Sequence, residues 1–205
     1  MLSNIRFIAA AFSLTVATMA AHAGQISYEE LSTDAKLVTF ETQPLNFGRP
    51  GPVFSGGLTF TSGNGSFRTY PSGSIELCES GCIMTDVELD YISVALPTPA
   101  AQAGGFVGVY NVPNHAQVEF YSNDLLLGTI AVDTAANEGK FAGWDAGQQL
   151  ITSVRFVDVE DQQFTITLGE FAYSPTSTVP EPSNGFLFAV GILALLALRK
   201  GKLPQ

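Results

Sequence analysis

The sequence is short of cysteine, histidine and positive charge, and each shortage excludes a class of site. Its 205 residues contain two cysteines and two histidines, and nine lysines and arginines stand against 19 aspartates and glutamates. A chain this acidic repels a phosphate backbone, which excludes nucleic acid as a partner. Charged residues make up only 14% of the chain, while phenylalanine occurs 15 times. That composition excludes a disordered polymer and is typical of a folded domain.

Sequence motifs of the common enzyme classes are also missing. The chain has no Gly-x-Ser-x-Gly elbow, no His-Glu-x-x-His, no phosphate-binding loop and no dinucleotide fingerprint. His115 has no evident nucleophile as a partner. We therefore predict that the protein is not an enzyme. The alternative is a secreted glycan-acting hydrolase, because such an enzyme needs only two carboxylates about 5 to 9.5 Å apart in space.

The first 23 residues have the three parts of a secretory signal peptide. Arg6 provides the positive charge, residues 7–17 provide the apolar segment, and residues 21–23, Ala-His-Ala, provide the small residues around a cleavage point. The competing interpretation is an uncleaved membrane anchor, for which the apolar segment is too short. We predict an exported protein from which residues 1–23 are removed.

A second apolar segment, residues 185–198, lies near the C-terminus. It follows Pro-Glu-Pro at residues 180–182 and precedes three cations within residues 199–202. Fourteen residues of helix span about 21 Å, against about 30 Å for the hydrocarbon core of a membrane, so the length alone also suits a buried core helix. The cations favour a transmembrane helix, because they are expected on the cytoplasmic side and their stems can reach the interface.

Residues 179–205 resemble the PEP-CTERM sorting signal of exported bacterial proteins. The likeness lies in a short motif, an apolar helix and a basic pair, in that order. The motif is Val179, Pro180, Glu181 and Pro182, and the basic pair is Arg199 and Lys200. It implies recognition by a membrane-embedded exosortase, cleavage near the motif and release to the cell surface or the extracellular matrix. An ordinary single-span anchor is the alternative. Both place the preceding domain outside the inner membrane.

The 155 residues from 24 to 178 have the size of one domain and the pattern of an all-β protein. Turn formers separate short segments in which apolar and polar residues alternate, and no segment has a convincing helical period. The pattern favours an antiparallel sandwich or barrel, and of these two we predict a β-sandwich. Its strands are predicted at residues 36–41, 57–62, 74–78, 87–96, 106–110, 116–122, 125–132, 151–159 and 164–173.

Two local patterns refine this prediction. Residues 117–132 are predicted to form a hairpin, because the turn formers at 122–124 join two alternating strands. In the first of these strands Glu119 and Tyr121 share one face, opposite the apolar residues. In the last predicted strand the alternation changes phase at Gly169, which is typical of a β-bulge.

The domain also resembles the jelly-roll domains that often precede PEP-CTERM signals. The likeness lies in residues 38–41 with 57–62, in residues 118–121 with 127–129, and in residues 141–173. Such domains are similar in fold to carbohydrate-binding modules. The resemblance implies a jelly-roll-like sandwich, but a shared fold alone does not convey a ligand.

Cys78 and Cys82 are predicted to form a disulfide. An even pair of cysteines in an exported protein most simply forms a bridge, and Gly81 gives the short loop the backbone freedom that it needs. The spacing is not Cys-x-x-Cys, which disfavours a redox pair, and His115 alone cannot complete a zinc site. We expect a structural clip.

Calcium is the ion most compatible with this acidic, histidine-poor composition, because it prefers oxygen ligands. By analogy with lectin-like jelly rolls, we predict Glu41, beside the first strand, and Glu170, in the last, as its ligands. The last-strand motif expected of the family carries Asp where this chain has Gly169. We expect no cofactor, with calcium at these two residues as the one alternative.

Aromatic side chains are the candidates for stacking against a sugar. Trp144 follows Phe141 in an apparent strand, so core packing is favoured for it, whereas Tyr121 is predicted to point outward with Glu119. A single exposed tyrosine is not a binding site. From the export and sorting signals and the fold, we expect a non-catalytic protein of the cell surface or matrix that interacts with extracellular polysaccharide or with another surface; a structural matrix protein without a specific ligand is a further alternative. The four aromatic candidates are Tyr70, Tyr110, Tyr121 and Trp144.

Overall fold

The structure is a computed structural model of the chain. The predicted signal peptide up to residue 22, Tyr110 and the whole predicted sorting signal lie outside the described residues. Among the described residues, no helix is long and apolar enough to cross a membrane. The structure describes residues 23–73, 78–87, 90–109, 114–136, 138–159 and 165–176.

The described residues form thirteen strands and one short 3-10 turn, η1, at Tyr28–Glu30. The all-β prediction is therefore confirmed. The strands are β1 (Gly24–Ile26), β2 (Lys36–Val38), β3 (Asn46–Pro50), β4 (Val53–Ser55), β5 (Leu58–Ser62), β6 (Ser66–Tyr70), β7 (Cys82–Thr85), β8 (Tyr91–Val109), β9 (Asn114–Ser122), β10 (Leu125–Thr134), β11 (Gly139–Asp145), β12 (Ile151–Asp158) and β13 (Ile166–Pro175).

Strand β8 is 19 residues long and takes part in two sheets. Its first half pairs with β5 and β12, and its second half pairs with β11 and β13. Sheet I has the order β4–β5–β8–β12–β9–β10. Sheet II has the order β1–β11–β8–β13, and beyond β13 lie β2 and β7, then β6 and β3. All of these pairings are antiparallel, as predicted.

The sequence predicted two separate strands, at 87–96 and 106–110, where the structure has β8, and that prediction was wrong. On β12, Ile151 and Ser153 are two residues apart, but their partners on β8 are Ala100 and Ala95. The extra residues of β8, 96–99, include two prolines. Proline is tolerated at such a corner, where a strand leaves one sheet for the other and the ladder is interrupted.

Buried aromatic rings join the two sheets. Phe60 of β5 and Phe156 of β12 both contact Phe171 of β13, with ring centres 6.1 and 6.2 Å apart. Phe40 adds an edge contact to Phe60 at 5.1 Å. All four side chains are fully buried. Because the contacts link sheet I to sheet II, the core is the interior of a β-sandwich, as predicted.

The hairpin and the bulge are confirmed. Strands β9 and β10 pair from Ser122 and Leu125 outward, with Asn123 in the turn at a φ of 54°. Asparagine tolerates this conformation, which suits a two-residue hairpin turn. In β13 the register with β8 shifts between Leu168 and Glu170, so Gly169 is the extra residue.

The predicted strand 74–78 lies outside the described residues except for Cys78, and β11 contains the apparent strand of Phe141 and Trp144. Five strands were not predicted, namely β1, β3, β4, β6 and β7. Two of them have only three residues, and β3 contains Gly48 and Pro50, which are rare in strands. The predicted strand 36–41 ends at Val38. Strand β8 begins at Tyr91, whose N–H donates to the carboxylate of Asp90 at 2.8 Å; residues 88 and 89 of the predicted strand 87–96 lie outside the described residues.

Candidate functional site

The outer face of sheet I carries a continuous set of polar and aromatic side chains. Because side chains alternate along a strand, the apolar residues of these strands face the core and every second side chain faces outward. We call the outward set the outer face. It consists of Phe54, Thr59, Thr61, Tyr91, Ser93, Ala95, Gln117, Glu119, Tyr121, Ser153, Arg155 and Val157.

Arg155 lies at the centre of the outer face and contacts two tyrosine rings. Its guanidinium carbon is 4.4 Å from the centre of the Tyr91 ring and 5.9 Å from the centre of the Tyr121 ring. The two tyrosines sit on the strands either side of β12. A cation over an aromatic face is attracted by the ring quadrupole, by about 0.5–2 kcal/mol. Arg155 is therefore held in place, with its planar donors fixed at the surface.

Glu119 is the hydrogen-bond acceptor for two neighbours on its own strand. The Tyr121 hydroxyl donates to one carboxylate oxygen at 2.6 Å, and the Gln117 amide donates to the other at 2.9 Å. The hydrogen bond to Glu119 raises the pKa of Tyr121, and burial raises it further. Both tyrosine and glutamine are thus oriented before any ligand arrives.

A row of small side chains crosses the outer face between two aromatic ones. Tyr121, Ser153, Ala95, Thr59 and Phe54 are direct neighbours on five successive strands. Four inter-strand spacings correspond to about 19 Å. Phe54 at one end is 62% exposed, and Tyr121 at the other end is half-buried. The small side chains leave a shallow trough between the Phe54 and Tyr121 rings, and the Arg155 guanidinium lies beside it.

This arrangement suits a flat ligand that has many hydroxyl groups. Aromatic rings can pack against the C–H faces of a sugar, and fixed charged and amide groups can bond its hydroxyls. Among the twelve residues of the outer face, Arg155 and Glu119 carry the only formal charges, and Asp133 of the edge strand β10 is an exposed carboxylate on the same side of sheet I. The surface therefore offers both donors and acceptors without a strong field of one sign.

The three predicted aromatic candidates that lie within the described residues are not brought together. Tyr121 points outward beside Glu119, as predicted. Trp144 is partly buried against the core and stacks on Phe120 with ring centres 5.9 Å apart, so its predicted core role is confirmed. Tyr70 lies in sheet II and contacts Phe47 of β3 edge-on at 5.7 Å.

Arg155, Tyr91 and Phe54 were not singled out from the sequence. A signal for Arg155 was available, because it is one of five basic residues between 24 and 178 and interrupts an apolar alternating strand. Tyr91 and Phe54 gave no such signal. Their relation to Arg155 and Tyr121 depends on which strands are neighbours in sheet I.

The two predicted calcium ligands occupy separate settings. Glu41 is exposed in the turn after β2, and Glu170 is half-buried in β13 opposite Phe106. No group of three or more His, Cys, Asp or Glu side chains placed to hold a metal occurs within the described parts of the chain. Calcium at Glu41 and Glu170 stays a prediction.

Cys78 and Cys82 form the predicted disulfide, and both are buried. The loop between them packs on the end of the first predicted strand, where the Phe40 N–H donates to the Ser80 carbonyl at 3.0 Å. Gly81 has a φ of 73° and lies against the backbone of Phe40 and Glu41, where a side chain would not fit. This contact favours the predicted structural clip and lies in sheet II, away from the outer face.

Sheet II has a smaller feature of its own. Tyr28 of η1 contacts Phe106 and Phe141, with ring centres 5.3 Å away in each case. Beside it lies a cavity of about 210 Å³, lined by Tyr28, Leu31, Ser32, Ala35, Leu37 and Ala172. The lining contains no charged side chain, so the cavity lacks the paired carboxylates of a glycosidase.

No protein-family model matches the chain, and no curated protein does. Solved structures with a distant likeness include the catalytic domain of a GH87 α-1,3-glucanase in complex with nigerose, at 12% identity and a TM-score of 0.40 over 74% of this chain. The chain spans only 30% of that glucanase structure.

Two further likenesses involve carbohydrate-binding modules. One is CsCBM6-3 from Clostridium stercorarium in complex with cellobiose, at 13% identity and a TM-score of 0.33 over 75% of this chain and 94% of that one. The other comprises the CBM51-2 and INT domains of Clostridium perfringens ZmpB, at 11% identity and 0.35 over 74% of this chain and 32% of that one. These likenesses are too distant to carry a ligand over to this chain.

Proposed function

We propose that the protein is a non-catalytic polysaccharide-binding β-sandwich and that the outer face of sheet I is its binding surface. The observation that supports this most is the Arg155 guanidinium, held over Tyr91 beside the trough that ends at Tyr121 and Phe54. A sugar chain laid across the strands meets a ring at each end and fixed donors along its side.

The charge of the domain favours a neutral polysaccharide. Between residues 24 and 178, 18 acidic residues face five basic ones, a net charge of −13. Such a domain repels uronate or phosphate polymers at low salt. A neutral chain is bound through ring contacts and hydroxyl hydrogen bonds, and these are the groups that the outer face provides.

The absence of catalysis is part of the proposal. A glycosidase needs two facing carboxylates, one of them with a raised pKa. Glu119 is the one carboxylate among the twelve residues of the outer face, and both of its oxygens are already hydrogen-bonded; Asp133 lies beyond them on the edge strand β10. Incubation with the bound polysaccharide should release no new reducing ends. Release that is lost in Glu119→Gln would support the hydrolase instead.

Export and sorting belong to the same proposal. The signal peptide at 1–23 and the PEP-CTERM-like segment at 179–205 would bring the domain to the outer surface, where an exosortase-like enzyme acts near Pro180-Glu181-Pro182. Intact-mass measurement on chains recovered from medium and membranes tests this. A released species ending near that motif supports sorting, whereas membrane-bound chains that all retain Lys202 support a plain anchor.

The jelly-roll form of the sandwich is likewise proposed. Strands β2–β13–β8–β11 are adjacent in one sheet, and β5, β12, β9 and β10 follow one another in the other with only the first half of β8 inserted. Two Greek keys wound in this way are typical of a jelly roll.

A glycan array followed by titration tests the binding proposal. The purified chain is screened against neutral and acidic polysaccharides, and the best neutral ligand is titrated into three proteins: wild type, Tyr121→Ala and Tyr28→Ala. We expect Tyr121→Ala to weaken binding about tenfold, or about 1.4 kcal/mol, because a stacking ring is removed. Tyr28→Ala, on sheet II, should bind like wild type. Equal losses in both variants, or loss only in Tyr28→Ala, would contradict the proposal.

A further inference from the structure

One end of the sandwich is formed where β8 turns from sheet I into sheet II, at residues 96–99. Both halves of β8 run away from this turn, one in each sheet. Strand β13 ends beside it, because the Thr176 N–H donates to the Pro99 carbonyl at 3.3 Å. We call this the corner end. The last described residue therefore lies at the corner end, and residues 177–184 connect it to the apolar segment 185–198.

Three exposed leucines lie together at the corner end. Leu125 and Leu126, after the turn between β9 and β10, are 57% and 48% exposed, and Leu150 is 36% exposed. Leu150 directly precedes β12, which begins at the corner of β8. The Asn123 N–H donates to the Thr152 hydroxyl at 2.6 Å, so the turn and Leu150 are neighbours. Single exposed leucines need no explanation, but a group of them can mark a contact site. We call these three residues the leucine patch.

The reach of residues 177–184 limits which end of the domain can face a membrane. Eight residues extend at most about 30 Å. The ten residues of β13 extend about 34 Å from the corner end towards the opposite end. If the apolar segment 185–198 spans a membrane, as the proposed function holds, the opposite end cannot lie on that membrane. The corner end can do so without any strain on the connection.

The charge of the domain selects the class of lipid. A net charge of −13 between residues 24 and 178 is repelled by anionic headgroups. Asp124 is exposed in the turn beside Leu125. Its carboxylate can meet the ammonium group of a zwitterionic headgroup, while the leucine patch meets the apolar part of the interface. A zwitterionic lipid surface therefore fits both features of the corner end.

We propose that the corner end lies against a zwitterionic lipid surface while the chain is anchored, with the leucine patch in contact with the lipid. This inference rests on the proposed membrane segment and not on polysaccharide binding. The patch is small, and even a single myristoyl chain binds a membrane only marginally. The patch should therefore contact the membrane only while the C-terminal segment keeps its local concentration there high.

This orientation has a consequence for the outer face. Leu126 lies opposite Tyr121, so one end of the trough is next to the leucine patch. With the corner end on the membrane the strands stand upright, and the trough, which crosses them, runs parallel to the membrane. A polysaccharide bound as proposed would then lie along the cell surface.

Quenching of tryptophan fluorescence by brominated lipid tests the proposal. The full chain is reconstituted into phosphatidylcholine vesicles with bromine on the acyl chains near the headgroup, and flotation in a density gradient shows that it is bound. Leu125→Trp and Leu150→Trp each add an indole to the leucine patch, and wild type gives the background of Trp144. Val159→Trp is the matched control, because Val159 is 46% exposed and follows β12 at the opposite end. Circular dichroism confirms that each variant is folded.

Leu125→Trp and Leu150→Trp should lose most of their added emission to bromine, whereas Val159→Trp should keep it. Anionic phosphatidylglycerol in the vesicles should reduce the quenching, and equal quenching there would contradict the assigned lipid class.

Two results separate the contact from the anchor. Chains that float with the vesicles while Leu125→Trp and Leu150→Trp are quenched no more than Val159→Trp would overturn the contact alone. Chains that do not float would contradict the anchor, and the contact with it. A blue shift in Leu125→Trp without quenching would show that protein covers the patch, which also overturns the proposal. Polysaccharide binding at the outer face can succeed or fail independently of these results.

Discussion

The Arg155 guanidinium of β12 lies diagonally over the Tyr91 ring of β8, with the guanidinium carbon 4.4 Å from the ring centre. The residue directly opposite Arg155 is Ser93, and the residue directly opposite Tyr91 is Val157. Diagonal neighbours on a sheet are within reach of long and aromatic side chains. The contact holds the Arg155 side chain over β8 and leaves the trough from Tyr121 to Phe54 open beside it. Ligand binding then requires little new ordering of the arginine.

Two replacements of Arg155 should separate the contribution of its charge to ligand binding from that of its planar guanidinium. Arg155→Ala should weaken binding of the neutral polysaccharide about tenfold, since fixed donors are lost, about 1.4 kcal/mol. Arg155→Lys keeps the charge but not the planar fork, and its affinity should lie between the two. Calorimetric titration measures both, with Lys140→Ala on β11 as the control. Wild-type affinity in Arg155→Ala would remove Arg155 from the site.

Tyr121 should titrate above the ordinary tyrosine range, and its hydrogen bond should stabilise the fold in a pH-dependent manner. Because Glu119 raises its folded-state pKa, the stabilisation is fully present below the unfolded pKa of about 10 and is lost as pH rises through the folded pKa. Tyr121→Phe should therefore be less stable than wild type at neutral pH, by under about 1 kcal/mol. The difference should close at high pH.

Denaturant unfolding at several pH values measures that difference, and tyrosinate absorbance reports the titration directly. Val157→Ala on the same face serves as a control whose stability difference should not change in this pH range. A gap between Tyr121→Phe and wild type that widens above pH 10 would contradict the assigned hydrogen bond.

Gly104 is required where β8 passes close to β11. A Cβ at this position would lie 2.6 Å from both the Ala142 carbonyl oxygen and the Gly143 Cα, and backbone atoms cannot easily move aside. Gly104→Ala should destabilise the domain by about 1–3 kcal/mol. Gly24→Ala, with no atom within 4 Å of its new Cβ, is the matched control. Equal midpoints of thermal unfolding for the two variants would show that β8 is displaced from this position.

Loss of the disulfide should lower the free energy of unfolding by only a small amount. The chain-entropy relation gives about 2 kcal/mol for a closed loop of five residues. Cys78→Ala/Cys82→Ala should therefore fold and bind polysaccharide with wild-type affinity, since the clip lies in sheet II. Its free energy of unfolding should fall by about that amount. A folded double variant that cannot bind would link the loop to the site.

Local patterns predicted the local features of this fold. The turn at Asn123 and the phase change at Gly169 each depend on a few neighbouring residues, and both are confirmed. Strand β8 was missed because its middle contains two prolines, which are rare inside strands. In the structure they mark the corner at which that strand changes sheets.

The sequence predicts only part of the candidate site, because the rest depends on which strands are neighbours in the sheet. Alternation correctly placed Tyr121 on the outside of its strand, beside Glu119. Nothing in the sequence indicates that β12 lies between β9 and β8, because those pairings join distant parts of the chain. Asp158 shows the same limit: it falls in an acidic run typical of a solvated turn, yet it is 4% exposed.

Hydroxyl-radical footprinting of the full chain, with and without saturating neutral polysaccharide, tests the central claim most directly. Oxidation of an aromatic side chain falls when a ligand covers it. Binding at the outer face predicts protection of Phe54 and Tyr121, with no change at the exposed Phe47 or at Tyr28 of sheet II. Protection at Phe47 or Tyr28 while Phe54 and Tyr121 oxidise as before would contradict the assignment of the outer face as the binding surface.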